Sequence, residues 1–215
     1  MRIYWKGHAC FLIECEDGIN ILTDPFNNEV GYPIPQEEIN IVTVSHQHFD
    51  HNAVDLVKGS PHVIQNPGVH TIGNKSFEGI PTFHDKSEGK ERGTNIVFLM
   101  NIEGVRLCHL GDLGHLLEEK DTARLANIDV LFIPVGGHFT IDALEASKIV
   151  AALKPKITVP MHYKTEYLDF PISPVENFTK LYQNVETRNV LEVDPQALPQ
   201  QPKTIVLNLQ TSSID

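Results

Sequence analysis

Ser45-His46-Gln47-His48-Phe49-Asp50-His51 follows directly on the apolar run Ile41-Val42-Thr43-Val44, and this junction governs how the chain is read. Four side chains able to bind a metal, His46, His48, Asp50 and His51, fall within six consecutive residues. The apolar run reads as a buried strand, and a strand that ends in such a cluster delivers ligands rather than filling a core. In extended chain, residues two apart point the same way, so His46 and His48 can close on one ion. A turn into a helix at Asp50-His51 would aim those two side chains at a second ion. Imidazole plus carboxylate suits zinc, iron or manganese, and the lack of cysteine in the cluster removes the thiolate preference for zinc.

Strand signals on both sides of this loop also end in ligand-type residues. Upstream, 2–6 and 9–15 read as strands around Gly7-His8, Glu16-Asp17-Gly18 as a hairpin turn, and 19–23 as the returning strand, which stops at Asp24. Residues 26–38, with Pro33 and Pro35, form a surface loop. Downstream, 52–59 carries apolar residues at helical spacing and a closing Gly59, which predicts a short helix. Further strands are expected at 62–65, 80–84, 95–101, 105–110, 130–134, 156–160, 189–193 and 204–209, with a polar loop at 85–93. Helices are expected near 121–127, over 142–153 and over 174–184. With no Ser-, Gly- or Pro-rich linker, the pattern predicts one domain over 1–215, packed sheets covered by helices.

Asp24, His84, Asp112, His138 and His162 therefore all sit at strand ends, where sites in mixed folds gather. Four residues cannot fill two coordination spheres. His84 and His162 can each add a nitrogen, and Asp112 can bridge both ions. Two ions about 3.5–4 Å apart would hold a bridging hydroxide, since a metal lowers the pKa of bound water to roughly 7. That provides a nucleophile without serine or cysteine.

The string His46-Gln47-His48-Phe49-Asp50-His51 resembles the His-x-His-x-Asp-His signature of the metallo-β-lactamase superfamily, and Gly111-Asp112 and Met161-His162-Tyr163 stand in the order of its later motifs. Gly7-His8-Ala9-Cys10-Phe11, Thr23-Asp24-Pro25, Pro81-Thr82-Phe83-His84, His109-Leu110-Gly111-Asp112 and Pro134-Val135-Gly136-Gly137-His138-Phe139-Thr140 are most similar to its lactonase and phosphodiesterase-type branch. The resemblance implies an αββα sandwich of two mixed sheets with the metals at one edge. It implies His46, His48 and His84 at one metal, Asp50, His51 and His162 at the other, and Asp112 between them. Asp24 would hold the histidine loop by hydrogen bonds. Leu113 stands where relatives often have Thr, and the short segments 113–126 and 26–38 leave no room for large lids, so an open site is expected.

Composition narrows the partners. The 215 residues are 41% hydrophobic and 21% charged, ordinary for a globular protein, and a net charge of −11 makes a phosphate backbone a poor partner. No uninterrupted apolar stretch resembles a signal segment or reaches the roughly 20 residues that span a bilayer, so a soluble, cytoplasmic protein is expected. Cys10, Cys15 and Cys108 read as buried reduced thiols.

The expected activity is hydrolysis of a small, ester-like and anionic substrate, a phosphodiester or lactone, by two divalent ions, zinc first and manganese or iron next. Asp112, Asp50 and His138 are the candidate catalytic groups. For His138 after its two glycines, and for His8, substrate contact and a structural role are both open. Lys86, Lys90, Arg92 and Lys164 lie beside His84 and His162 and could bind phosphate or carboxylate, or simply form a solvated loop with Glu88 and Glu91. Thioester or glyoxalase-type hydrolysis, di-iron redox chemistry and a non-catalytic module are the alternatives. Either a monomer or a homo-oligomer fits the sequence.

Overall fold

The computed structural model describes residues 1–211. The chain opens with β1 (Arg2–Gly7), β2 (Cys10–Glu14) and β3 (Asn20–Thr23) as antiparallel neighbours. β4 (Glu38–Thr43) and β5 (Lys58–Ile64) then add in parallel. A meander of β6 (Gly68–Ile72), β7 (Lys75–Phe83), β8 (Thr94–Ile102) and β9 (Val105–His109) follows. The remainder alternates: α1 (Glu119–Arg124), β10 (Val130–Pro134), α2 (Ala143–Leu153), β11 (Ile157–Met161), α3 (Glu176–Thr179), β12 (Val185–Arg188), β13 (Leu191–Glu192) and β14 (Lys203–Leu207).

These strands make two mixed sheets, one in the order β13-β1-β2-β3-β4-β5 and one in the order β12-β14-β11-β10-β9-β8-β7-β6. β10 and β11 run parallel and are buried at every position, as strands covered on both faces require. The sheets meet through their inner faces: the fully buried rings of Phe11 on β2 and Phe132 on β10 have centroids 4.4 Å apart. His109 Nε2 donates across the same gap to Ala9 O at 2.8 Å.

The expected sandwich of two mixed sheets is present, but its helical cover is thin. All three α-helices lie in connections of the second half, and helical structure between β1 and β5 is limited to the 3₁₀ turns Asn28–Val30 and Val54–Leu56. α2 forms as expected because Asp142 closes a capping box with Glu145 and the buried Ala143, Ala146, Ile149 and Leu153 share one face. The helix expected over 52–59 is corrected to a single 3₁₀ turn. Ala53 supplies no side-chain cap, and from Lys58 the chain is taken up as β5 on the open edge of β4. The helix expected over 174–184 shrinks to Glu176–Thr179, after which i→i−3 bonds at Leu181 and Tyr182 tighten the chain into turns. β6, most of β7 and β12 had no counterpart in the sequence reading.

Cys10, Cys15 and Cys108 are buried and unpaired. No helix among the described residues is long and apolar enough to cross a membrane. The ends of β1, β3, β4, β7, β9 and β11 come together along one rim of the sandwich, where the ligand-type residues collect.

Phe132→Ala removes one side of the inter-sheet contact and is expected to destabilise the fold by about 3–5 kcal/mol in urea denaturation. A loss below about 1 kcal/mol would contradict its place in the shared core.

Candidate metal centre

Asp24 organises the histidine loop from below. It leaves β3 at φ +40°, is fully buried, and its N–H donates to Thr43 O at the end of β4. Its Oδ1 accepts from Ser45 N at 2.7 Å, and its Oδ2 accepts from Ser45 Oγ at 2.6 Å and from His51 Nδ1 at 2.9 Å. Since Ser45 Oγ gives its proton to Asp24, it accepts from His46 Nδ1 at 2.9 Å. One carboxylate thus fixes both imidazoles as Nδ1–H tautomers with the Nε2 lone pairs facing the opposite way. The loop itself closes by His51 N donating to His48 O at 2.9 Å, a turn rather than the expected helix start.

Asp112 lies at the centre. Its Oδ2 is 3.1 Å from His84 Nε2, 3.1 Å from His162 Nε2 and 4.0 Å from His46 Nε2, and its Oδ1 is 3.3 Å from His51 Nε2. Three supports place it there. Asp112 N donates to Asn95 Oδ1 at 2.9 Å, and Asn95 Nδ2 in turn donates to Thr82 Oγ1 and Leu110 O. Gly111 takes φ +55°, and a Cβ there would stand 2.3 Å from Asn95 Oδ1, so only glycine lets the chain pass. His109 donates from Nε2 to Ala9 O and accepts Gly111 N–H at Nδ1, 3.2 Å away. Leu113 is fully buried in the core.

His8 holds the far side. It is fully buried with φ +53°, its Nε2 is 3.1 Å from Asp50 Oδ2, and its ring lies 4.0 Å from that of His162. Its carbonyl accepts from Trp5 Nε1 and from His162 N. His8 therefore touches ligand-type residues, and it is not among the residues lining the cavity in front of them.

The donor set fits a metal. His46 Nε2, His51 Nε2 and Asp112 Oδ1 are buried with no hydrogen-bond partner, an arrangement too costly to leave uncompensated. Ligand atoms of His8, Asp50, His51 and His162, of His46, His48 and His84, and of His46, His51 and Asp112 each lie within 4.8 Å of one another. Burial, then the neighbouring His51, pushes His46 down to about 3, which keeps its lone pair free at neutral pH. Burial alone would raise the carboxyls of Asp50 and Asp112. The imidazoles around them outweigh it and hold both below the usual carboxylate range. In the metal-free state His51 is correspondingly raised: burial disfavours its charge, but Asp112 and Asp50 prevail. Protons thus stand in part where a cation would.

The other sequence candidates scatter. His138 is exposed at φ +61°, its ring edge-on to Phe139 at 4.5 Å, and it is not among the residues lining the cavity. Lys86 pairs with Glu145 at 2.5 Å, and Lys164 donates to Phe170 O and pairs with Asp169. Arg92 does reach the cavity of about 310 Å³, whose wall includes His48, His84, Asp112 and His162. Asp50, Phe49, Phe139 and Phe170 line it as well. His48 and Phe49 are exposed, consistent with the expected open site. The sequence assigns no role to Asn95, Ser45, His109 or the three rings, although Ser45 and Phe49 stand in the histidine stretch and His109 and Phe139 in quoted motifs.

A family model described as the beta-lactamase superfamily domain matches residues 2–162. A UPF0173 metal-dependent hydrolase from Carboxydothermus hydrogenoformans is 32% identical over 196 residues, covering 77% of this chain and 85% of the relative. Another from Thermoplasma volcanium is 33% identical over 196 residues, covering 77% and 84%. Among solved structures, a candidate Zn-dependent hydrolase of the metallo-β-lactamase superfamily from Thermotoga maritima superposes with a TM-score of 0.81 at 42% identity. That alignment covers 96% of this chain and 97% of the other.

Asp24→Asn keeps the shape but weakens the orientation of His46 and His51. Zinc affinity measured by competition with a chelator is expected to fall about 10–100-fold, and unchanged affinity in the folded variant would contradict the role described.

Proposed function

The chain belongs to the metallo-β-lactamase superfamily, and on that premise we propose that it is a hydrolase of small ester-like substrates, phosphodiesters or lactones, working with two divalent ions. In this reading His46, His48 and His84 would hold one ion, Asp50, His51 and His162 the other, and Asp112 would be shared between them. Zinc is the first candidate, with manganese or iron next. The observation that carries the reading is the position of Asp112 Oδ2, 3.1 Å from the Nε2 atoms of both His84 and His162, with Oδ1 turned to His51. A carboxylate at the junction of two imidazole groups is what a shared ligand requires.

Bound there, divalent ions supply Lewis acidity toward the scissile oxygen and a hydroxide nucleophile at neutral pH. The protein's own part is orientation and proton handling. Asp24 and Ser45 keep the His46 and His51 lone pairs aimed at the centre, and His8 keeps Asp50 Oδ2 from turning away. Asp50 and Asp112, held ionised by the imidazoles around them, would hold the ions without a competing proton and are the carboxylates nearest the nucleophile. Phe49, Phe139 and Phe170 line the same cavity and offer an apolar surface to the substrate. His138, edge-on to Phe139 and not among the residues lining the cavity, would act only on a leaving group that reaches past that lining.

Asp112→Ala is expected to lower kcat on bis-(4-nitrophenyl) phosphate and on simple lactones by about a thousandfold or more. Dialysis of the native protein against EDTA should abolish turnover, and zinc or manganese should restore it. Unaltered rates in either case would overturn the mechanism.

A further inference from the structure

Most cations near the centre are already committed. Lys86 is taken by Glu145, Lys164 by Asp169 and the Phe170 carbonyl, and the buried Lys6 by Glu37. Among the described residues, no ion pair or side-chain hydrogen bond engages the guanidinium of Arg92. Its Cζ sits 4.7 Å from the centroid of the Phe139 ring. A guanidinium held over a ring by its carbon keeps N–H groups available for a ligand lying in its own plane.

Arg92 is also held in a fixed relation to the metal ligands. Asp85, next to His84, accepts four backbone N–H groups, from Ser87 at 2.7 Å, Gly89 at 2.9 Å, Glu91 at 3.1 Å and Arg92 at 2.8 Å. His84 N donates to Gly93 O at 3.1 Å, so the loop closes on itself. The loop that carries a metal-ligand histidine at one end thus carries the uncommitted cation at the other. Three rings share the lining of the cavity and neighbour one another, with Phe170 5.7 Å from Phe139 and 6.4 Å from Phe49.

On a chain of net charge −11, attraction of an anion has to be local. The scissile oxygen has the metal ligands to serve it, and Arg92, outside that network, is left for a second group. Resting on the hydrolase reading above, we propose that the substrate carries, apart from its scissile bond, an oxyanion group that Arg92 binds in the plane of its guanidinium. An apolar portion beside that group lies on Phe139 and Phe170. Carboxylate and phosphoryl oxygens share the chemistry that the N–H edge recognises. A cavity of about 310 Å³ limits the molecule to a small one.

Calorimetric titration of the zinc-loaded protein with phenylacetate, phenylphosphonate and the neutral phenylacetamide tests the proposal. At least one anion should bind about tenfold more tightly than phenylacetamide, and whichever binds better identifies the group. Arg92→Ala should lower that anion's affinity about tenfold and phenylacetamide's less than twofold, with Arg92→Lys in between and all variants melting at the wild-type temperature. Phe139→Leu should weaken all three probes. The Arg92 contact needs no metal, so its increment should persist in EDTA-treated protein. If it persists in a protein that neither binds zinc nor hydrolyses esters, the anion site stands and the hydrolase reading falls. Equal affinity for the anions and phenylacetamide, no detectable anion binding, or anion affinity unchanged by Arg92→Ala would overturn the proposal.

Discussion

A carboxylate buried among imidazoles is the constraint on which this structure turns. Asp112 is 2% exposed, and an isolated charge at that depth costs more than a fold of marginal stability can spare. It persists because the imidazoles of His51, His84 and His162 face it at 3.1–3.3 Å, and because Asn95, Gly111 and His109 hold its backbone in place. Those imidazoles come from both layers of the sandwich. The histidine loop and Asp24 hang from β4 and β3 of one sheet, whereas His84, Asp112 and His162 follow β7, β9 and β11 of the other. A cation bound at this junction ties the two sheets together, so occupancy and stability of the sandwich are linked.

Asp24 repeats the principle one layer deeper. It is wholly buried, yet it meets three donors, and through Ser45 it sets the tautomers of two imidazoles at once. His8 does the corresponding work for Asp50 on the other flank. Several of these groups sit in left-handed backbone, Asp24, His8 and His162 among them, where a non-glycine residue is strained. The rim of the sandwich thus carries its strain where the ligand-type side chains are presented.

Much of this was legible in the sequence. Ligand density after an apolar strand singled out residues 45–51, and strand ends carrying His or Asp pointed to His84, Asp112 and His162, all of which the fold brings together. Asp24 was legible for the same reason. Local pattern failed where partners at a distance decide the outcome. Residues 52–59 have helical spacing, but the open edge of β4 claims the chain from Lys58. Asn95 looks like an ordinary strand residue until Gly111 and Asp112 are placed beside it. Phe49, Phe139 and Phe170 come from three separate loops, and no spacing relates them. Of the four cations flagged near the ligands, Lys86 and Lys164 turned out to be committed to other groups, a matter of who stands opposite whom.

The ligand-type residues do not by themselves decide which molecule is acted upon, since one donor set serves many chemistries on one fold. In the proposed reading that choice falls to Arg92 and the rings that share the cavity lining. The most direct test of the whole account is an anomalous-scattering map from crystals grown in zinc. The account predicts two peaks about 3.5–4 Å apart, flanking the Asp112 carboxylate, one beside His46, His48 and His84 and the other beside Asp50, His51 and His162. A single peak, or peaks that leave Asp112 uncoordinated, would contradict it.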